Sequence, residues 1–252
     1  MGKKVKDYYD MEYGIFLAEK IKSVYPVFNE EQFLSLIRPT IEILTFNERQ
    51  DLLATALKEA IPLDYTDTIQ VFEKILGPEL KGSLGMFTEG YWLWPIGRYV
   101  EKFGIENFKV STRFSKELTK RFTSEFCMRP IISKFPEQSM QLLLEWCRDD
   151  NKRVRRLASE CLRIRLPWAK KLYVALDYFD QYSALLTFLK DDPDKTIQKS
   201  VANNLNDLYK EDSDKFERII SVWQKDTLTK ECQWIIKHAS RTKNKKGQCT
   251  SV

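Results

Sequence analysis

Glu160 is the single acidic residue in a strongly basic stretch of the chain. The segment Val154–Leu172 (VRRLASECLRIRLPWAKKL) contains six Lys or Arg residues and one carboxylic acid. On a helix, Arg156 lies one turn before Glu160 and Arg163 one turn after it, and both cations favour the ionised carboxylate. A fixed carboxylate can stabilise a cation, and guanidinium groups can bind phosphate. An alternative interpretation is a solvated charged face, whose ion pairs are worth only ~0–1 kcal/mol each.

Asp207 has a similar setting on another predicted helix. It shares a polar stripe with Ser200, Asn203 and Lys210, which are three or four residues apart along the chain. This stripe lies at nearly the same angle from the apolar face of its helix as the stripe that contains Glu160. In an array of stacked repeats, equivalent helix faces line one wall. We therefore expect Asp207 on the same wall as Glu160.

Glu125 is a third acidic candidate with a different environment. It borders an apolar stripe that includes Phe122, so we expect it to be partly shielded from water. Arg121 and Arg129 lie four residues to either side of it, within reach on a helix.

Helical periodicity accounts for most of the chain, and no alternating run of β-branched residues predicts a strand. The fold class is therefore predicted to be all-α. The strongest predicted helices are Asn29–Leu44, Glu48–Ala60, Thr66–Leu76, Pro95–Phe103, Ser115–Ile132, Pro136–Arg148, Asn151–Arg165, Pro167–Phe179, Asp194–Tyr209 and Lys215–Trp223. Pro167 is expected to end one helix and begin the next, which places Trp168 at a helix N-terminus.

The sequence also resembles itself at intervals typical of helical repeats. Lys120–Phe126 (KRFTSEF) matches Arg155–Cys161 (RRLASEC) 35 positions later, and Val154–Leu162 has a fainter copy at Ile197–Leu205, 43 positions later. Two helices in each such interval indicate a curved HEAT-like solenoid. We predict one repeat domain over residues 1–240. Residues 241–252 are basic and lose apolar periodicity, so they are expected to fray.

Composition excludes several other classes of protein. The chain has 252 residues, a 43% hydrophobic share and a net charge of +5, which allow a full-sized core and a mildly basic surface. Five cysteines without a CxxC pair and one histidine predict neither a disulfide framework nor a metal site, and no cofactor motif is present. No signal peptide or membrane span is expected, so the predicted location is the cytoplasm.

Several blocks of the sequence resemble the AlkC branch of the AlkC/AlkD DNA alkylation-repair glycosylases, a bacterial family of HEAT-like repeats. The resemblance covers roughly residues 85–240. The blocks that carry it, in order, are Trp92–Gly104, Glu117–Ile132 (ELTKRFTSEFCMRPII), Asp149–Ala169 (DDNKRVRRLASECLRIRLPWA), Ser200–Leu208 (SVANNLNDL) and Trp234–His238. Some members of this branch carry a C-terminal immunoglobulin-like domain, which we do not expect within these 252 residues.

This resemblance implies that Glu125, Glu160 and Asp207 are the catalytic acids. Arg163 would be the accompanying arginine, and Trp168 the aromatic residue that faces the lesion. The residues assigned to DNA or base binding are Arg121, Arg156, Arg163, Trp168, Asn203 and Lys210. The sequence departs from the family pattern RLASEGxRPRLPWA at Cys161 and Ile164, which replace a glycine and a proline close to Glu160 and Arg163.

The implied activity is that of a monofunctional DNA glycosylase for N3-alkylated bases, chiefly 3-methyladenine, in double-stranded DNA. Such a base is cationic and leaves without protonation, so carboxylates need only stabilise an oxocarbenium-like sugar and place a water molecule. The protein is expected to act as a monomer, without metal or cofactor, and to associate with the nucleoid when bound to DNA. The alternatives are a non-catalytic repeat protein that binds distorted or branched DNA, and a helical scaffold that binds proteins.

Overall fold

The computed structural model describes residues 4–81, 89–225 and 227–249, with the side chains of 246–249 left out. These residues form α-helices, short 3-10 helices and turns, with no strand among them, so the all-α prediction is confirmed. Within the same ranges, no helix is both long and apolar enough to cross a membrane. By its internal contacts the chain divides into two compact units, Met1–Ile131 and Ile132–Val252. The prediction of a single domain over residues 1–240 stays a prediction.

The first unit contains six helices in full, among the residues described, and most of a seventh. They are α1 (Met11–Val24), α2 (Glu30–Ile37), α3 (Phe46–Ala60), α4 (Tyr65–Ile75), α5 (Trp94–Phe103), α6 (Phe108–Thr119) and α7 (Glu125–Lys134). Their apolar faces form one core that includes Leu17, Phe33, Leu57 and Phe72, all fully buried. Arg49 is also buried inside this unit. Its guanidinium group donates hydrogen bonds to the main-chain carbonyl groups of Lys6, Tyr9, Glu42 and Leu44.

The predicted helix Ser115–Ile132 is wrong as a continuous element, because a turn separates α6 from α7. Local side-chain bonds explain the break. The Ser124 hydroxyl donates to the carbonyl of Ser115 at 2.6 Å, and the Thr123 hydroxyl donates to the Glu125 carboxylate. Ser and Thr side chains that bond to nearby groups in this way favour helix ends over helix interiors. Glu125 therefore begins α7 instead of lying in the middle of a long helix.

The second unit consists of helix pairs. Its helices are α8 (Pro136–Trp146), α9 (Lys152–Glu160), α10 (Val174–Asp177), α11 (Phe179–Leu189), α12 (Lys195–Glu211), α13 (Ser213–Trp223), α14 (Lys230–Ala239) and α15 (Arg241–Cys249). Helices α9, α12 and α14 pack side by side in that order, while α8 packs against α9 and α11. The second helices of successive pairs thus form one layer, as expected of stacked repeats.

The 43-residue spacing is visible in the turns that start α9 and α12. The Asp149 carboxylate accepts from the Asn151 N–H, and 43 residues later the Asp192 carboxylate accepts from the Asp194 N–H. Asn151 and Asp194 then cap their helices by accepting a main-chain N–H two residues on. The same hydrogen bonds therefore recur at the predicted spacing of 43 residues. In this register the equivalent of Glu160 is Asn203.

Two predicted helices around Pro167 are wrong. Helix α9 ends at Glu160 instead of Arg165, and residues 161–173 form turns and irregular structure. The predicted helix Pro167–Phe179 is replaced by the four-residue α10 and the start of α11. Proline disfavours helical geometry in the residue before it, and Pro167 does not start a new helix here. Trp168 consequently lies in a turn and not at a helix N-terminus.

The end of the described chain also differs from the sequence prediction. Arg241–Cys249 form α15, whereas the loss of apolar periodicity predicts fraying. The Asn206 amide, fully buried on α12, donates to the Ala239 carbonyl at 2.7 Å and to the Thr242 hydroxyl at 2.9 Å. This polar clamp holds the junction between α14 and α15 against α12. Residues 250–252 lie outside the described part of the chain.

Candidate active site

Arg163 joins Glu160 and Asp207 in a buried cluster of the second unit. Its Nη1 atom donates to Glu160 Oε1 at 3.2 Å, and its Nε atom donates to Asp207 Oδ2 at 3.0 Å. All three residues are buried, with exposed fractions of 8%, 6% and 2% for Arg163, Glu160 and Asp207. We call Glu160, Arg163 and Asp207 the acid–arginine cluster. The predicted proximity of these residues is confirmed, and a solvated charged face is excluded at this position.

The cluster depends on the different lengths of α9 and α12. Glu160 is the last residue of α9, and Arg163 lies just beyond it in the following turn. Helix α12 has 17 residues, so Asp207 lies one turn beyond Asn203, the repeat equivalent of Glu160. The chain after α9 folds back over this extra turn, and the Arg165 N–H donates to Asp207 Oδ2 at 3.4 Å.

The two carboxyl groups have pKa values shifted in opposite directions. Burial would raise the pKa of Glu160, but the cations of Arg156 and Arg163 outweigh it and lower that pKa below its ordinary value. Burial also raises the pKa of Asp207, and here Arg163 and Lys210 offset the effect only in part. Glu160 is therefore firmly ionised, while Asp207 is the more basic of the two carboxylates.

A network of buried hydroxyl and amide groups supports Glu160 from the protein side. The Ser200 hydroxyl helps to lower the pKa of Glu160 and lies 2.8 Å from the Ser159 hydroxyl. Asn204 donates to the main-chain carbonyls of Ser159 and Ser200, and its own Oδ1 accepts from the Tyr182 hydroxyl at 3.1 Å. All four supporting residues are at most 2% exposed, so they fix the α9–α12 contact behind the carboxylate.

The opposite pKa shifts predict opposite effects of pH on stability. Because the folded pKa of Glu160 is lowered, its ionisation stabilises the fold above its ordinary pKa of 4.5, and this contribution is lost as pH falls. Because the folded pKa of Asp207 is raised, its ionisation destabilises the fold as pH rises above 3.8.

The measurement is urea unfolding of the wild type, Glu160→Gln and Asp207→Asn between about pH 3 and pH 7. The stability difference between wild type and Glu160→Gln is expected to grow with pH. The difference between wild type and Asp207→Asn is expected to shrink. Parallel pH trends in the two variants would contradict the assigned environments.

The remaining predicted residues of this unit lie around the cluster. Arg156 Nη2 is 3.6 Å from Glu160 Oε1, so it contributes to the same charge balance. Lys210 is exposed on α12 and favours the ionised form of Asp207. Asn203 is half-buried, and its Oδ1 accepts from Arg241 Nη2 at 3.0 Å.

Trp168 is the most unusual residue of the turn that follows α9. Its φ is +65°, which makes it the only non-glycine residue with positive φ among those described. The left-handed conformation costs an L-residue roughly 1–2 kcal/mol. Its side chain is 61% exposed, although tryptophan is among the largest apolar residues. A strained backbone that holds an aromatic ring in solvent is typical of a functional surface.

Glu125 and Arg121 both belong to the first unit. Glu125 is 7% exposed, so its predicted shielding from water is confirmed. Arg121 pairs with Glu117 through Nη1 at 2.7 Å and donates to the Gly77 carbonyl at 3.0 Å. The catalytic role of Glu125 and the DNA-binding role of Arg121 stay predictions.

The two residues that depart from the family pattern, Cys161 and Ile164, lie in the core. Cys161 and Ile164 are both fully buried, on either side of the Leu162–Arg163 turn. The Ile164 carbonyl accepts from the Leu172 N–H at 3.1 Å, which closes the irregular segment behind Arg163. The acid–arginine cluster thus forms with Cys161 and Ile164 in place. Among the described residues, no group of His, Cys, Asp and Glu side chains is arranged to hold a metal ion.

Two residues of this site were not assigned from the sequence. Ser200 lies on the same polar stripe as Asp207, so periodicity placed it correctly without indicating its effect on the pKa of Glu160. Arg241 lies in the segment that was expected to fray, and only its contact with Asn203 shows that it belongs to the site.

A known protein family and a known protein are similar to this chain. Residues 116–242, which include every predicted site residue, match the family model described as DNA alkylation repair enzyme. The uncharacterized protein YhaZ of Bacillus subtilis (strain 168) is 33% identical over 244 residues, which make up 96% of this chain and 65% of YhaZ.

A solved structure shows the same likeness in three dimensions. It is the alkylpurine DNA glycosylase AlkC of Pseudomonas fluorescens, bound to DNA containing an abasic site analogue. The TM-score is 0.84 and the identity 29%, over 96% of this chain and 65% of AlkC. The chain therefore spans just under two thirds of the length of each of these two proteins.

Proposed function

Because the chain belongs to the family of DNA alkylation repair enzymes, we propose that it is a DNA glycosylase that releases alkylated purines from double-stranded DNA. The observation that carries this proposal is the acid–arginine cluster, in which one guanidinium group holds two buried carboxylates of different basicity. The likeness to the alkylpurine DNA glycosylase AlkC supports the same activity.

The proposed substrates are cationic N3-alkylated bases, chiefly 3-methyladenine. Alkylation at N3 gives the base a positive charge, so its bond to the sugar breaks without protonation of the leaving group. An ordinary glycosidase needs a second carboxylic acid for that protonation, and this reaction does not. A site with two carboxylates and no histidine within hydrogen-bonding reach of them is consistent with this chemistry.

The opposite pKa shifts suggest a division of work between the two acids. Glu160 is held ionised by Arg156 and Arg163, so it is suited to stabilise the positive charge that develops on the sugar. Asp207 is the more basic carboxylate, so it is suited to accept a proton from the attacking water molecule. Glu125 is the third proposed catalytic acid, on the basis of the family resemblance.

DNA binding is proposed to come from the cations and the aromatic residue around the cluster. Arg156 and Lys210 would neutralise phosphates, and the exposed ring of Trp168 would contact the lesion. Binding through such contacts depends little on the base sequence of the DNA and weakens steeply with added salt. Selectivity would then come from the charge of the alkylated base.

The reaction is proposed to be monofunctional. No lysine contacts Glu160 or Asp207 as a hydrogen-bond donor in the described part of the chain, and hydrolysis by water leaves an abasic site with an intact strand. A Schiff-base nucleophile, which would cleave the strand as well, is therefore not assigned.

Release of free base from methylated duplex DNA tests the proposal. Wild-type protein is incubated with DNA treated with a methylating agent, and the released bases are separated by chromatography and compared with a protein-free control. We expect 3-methyladenine above the spontaneous rate, and strand breaks only after the abasic sites are cleaved chemically. Tight, salt-sensitive binding without base release would support a non-catalytic DNA-binding protein instead. Absence of DNA affinity even at low salt would support a protein scaffold.

A further inference from the structure

Arg241 reaches the site from α15 and contacts one predicted base-binding residue. Its Nη2 atom donates to Asn203 Oδ1 at 3.0 Å, and its Nη1 atom donates to the His238 carbonyl at 2.7 Å. Asn206 holds the chain on both sides of Arg241, through the Ala239 carbonyl group and the Thr242 hydroxyl group. The contacts of Asn206 therefore position the main chain around Arg241, and Asn203 binds its side chain.

This contact determines which way the Asn203 amide faces. A guanidinium group can only donate hydrogen bonds, so the atom that it contacts must be the amide oxygen. The donor-only chemistry of the guanidinium group therefore determines the orientation of the Asn203 amide group. Within the described residues, the Asn203 Nδ2 group has no hydrogen-bond partner, and the residue is half-buried. Asn203 therefore has an NH₂ group left to donate to a bound molecule.

Arg241 is also close enough to the acid–arginine cluster to take part in its charge balance. Burial lowers the pKa of Arg241 and the charge of Arg163 lowers it further, while the charge of Asp207 opposes this shift in part. Asn203 lies one helical turn before Asp207 on α12, so its NH₂ group and the carboxylate belong to the same helix face.

We propose that Arg241 is a positioning residue that holds Asn203 as a hydrogen-bond donor to an acceptor atom of the DNA at the lesion. The proposal rests on the proposed glycosylase function for its substrate, but the geometry of the pair stands independently of catalysis. The acceptors that the DNA offers to an NH₂ group are base carbonyl and ring nitrogen atoms, sugar oxygens and phosphate oxygens. The alternative, a direct contact of Arg241 with a phosphate, is an outcome of the test.

A double-mutant cycle on Arg241 and Asn203 separates these roles. Arg241→Ala and Asn203→Ala are each expected to slow single-turnover base release by about tenfold, the effect of one hydrogen bond that involves a charged or preorganised donor. The double variant is expected to be slowed by about the same tenfold, because Arg241 acts through Asn203. Lys243→Ala is the control, since Lys243 lies on the same helix and pairs with Glu217.

The salt dependence of DNA binding provides the second readout, with a duplex that carries an abasic-site analogue. Arg241→Ala is expected to leave the slope of log affinity against log salt unchanged. A slope smaller by about one, or a double variant slowed by about a hundredfold, would show a direct phosphate contact and overturn the proposal. An Arg241→Ala rate equal to the wild-type rate would overturn it as well.

Two further measurements test the proposal where Arg241→Ala disturbs the fold or where no base is released. Asn203→Asp retains an acceptor for Arg241 but replaces the donor with a negative charge, so it tests the proposal even if Arg241→Ala disturbs α15. It is expected to lose at least as much as Asn203→Ala. If the wild type releases no base, the glycosylase proposal fails, and the same cycle is then measured as affinity for the abasic-site duplex. Non-additive losses in affinity support the positioning role, and additive losses overturn it.

Discussion

Glu160→Gln is expected to slow base release from methylated DNA by about 100- to 1,000-fold, the usual effect of removing one preorganised electrostatic group from an active site. Glutamine has the same shape and can still accept a hydrogen bond from Arg163, so the local packing is retained. What it removes is the negative charge opposite a sugar that becomes positive in the transition state. The loss should therefore appear in the rate of the chemical step.

Single-turnover kinetics with enzyme in excess measure that step directly. DNA affinity, measured by fluorescence anisotropy, is expected to stay equal or to increase, because the variant has one negative charge fewer beside the DNA phosphates. Glu145→Gln is the matched control, since it makes the same chemical change on the exposed side of α8 and is expected to retain the wild-type rate. A Glu160→Gln rate within a few-fold of wild type would exclude electrostatic stabilisation by this residue.

The pH dependence of the same rate distinguishes the two acids. Asp207 must be ionised to accept a proton from water, and its pKa is raised by burial. The wild-type rate is therefore expected to fall on the acid side at a higher pH than an ordinary aspartate would impose. Glu160 stays ionised through this range because Arg156 and Arg163 lower its pKa. In Asp207→Asn the acid limb should disappear together with most of the activity.

The sequence alone placed Glu160 and Asp207 on one wall, because apolar periodicity determines the helix face on which each residue lies. Apolar spacing defines the inward face of each helix, and the repeat of 43 residues brings equivalent faces together. The bridge between the two acids was not predictable in the same way. It requires α9 to end at Glu160, so that Arg163 can turn back toward α12. Helix ends depend on local side-chain bonds and on proline, which periodicity does not report.

Trp168 and Arg241 illustrate the same limit at the edge of the site. The sequence assigned Trp168 to the site through the family resemblance and a helix N-terminus, but its exposure comes from a left-handed turn. Arg241 belongs to a helix whose own apolar pattern is weak, and buried Asn206 on α12 secures that helix. A helix held by polar contacts to a neighbour is not visible in the hydrophobic pattern of its own sequence.

Arg163→Met is expected to destabilise the protein by about 3–5 kcal/mol at neutral pH, because it leaves a buried carboxylate without its partner. Asp207 loses the guanidinium group that donates to it at 3.0 Å, while Glu160 keeps Arg156. Urea unfolding followed by circular dichroism measures the loss. Because Asp207 has the raised pKa, the loss should become smaller as pH falls and Asp207 takes up a proton.

Arg165→Met is the matched control for this variant. Arg165 lies two residues further on, is exposed, and pairs with Glu211 in a bridge that is worth at most about 1 kcal/mol. Its main-chain N–H, which contacts Asp207, is unchanged by the substitution. Equal losses in Arg163→Met and Arg165→Met would show that burial of the cluster contributes nothing to stability.

Addition of Asp207→Asn to Arg163→Met is expected to restore part of the lost stability, because the uncompensated charge is removed. Addition of Glu160→Gln should restore little more, because the Arg156 cation still lies 3.6 Å from the Glu160 carboxylate. The double variant would then be more stable than Arg163→Met and release no base above the spontaneous rate. Such a result would separate folding from function, since neutral residues of similar size fill the same space. The charges of Arg163 and Asp207 would then be required for the reaction but not for folding.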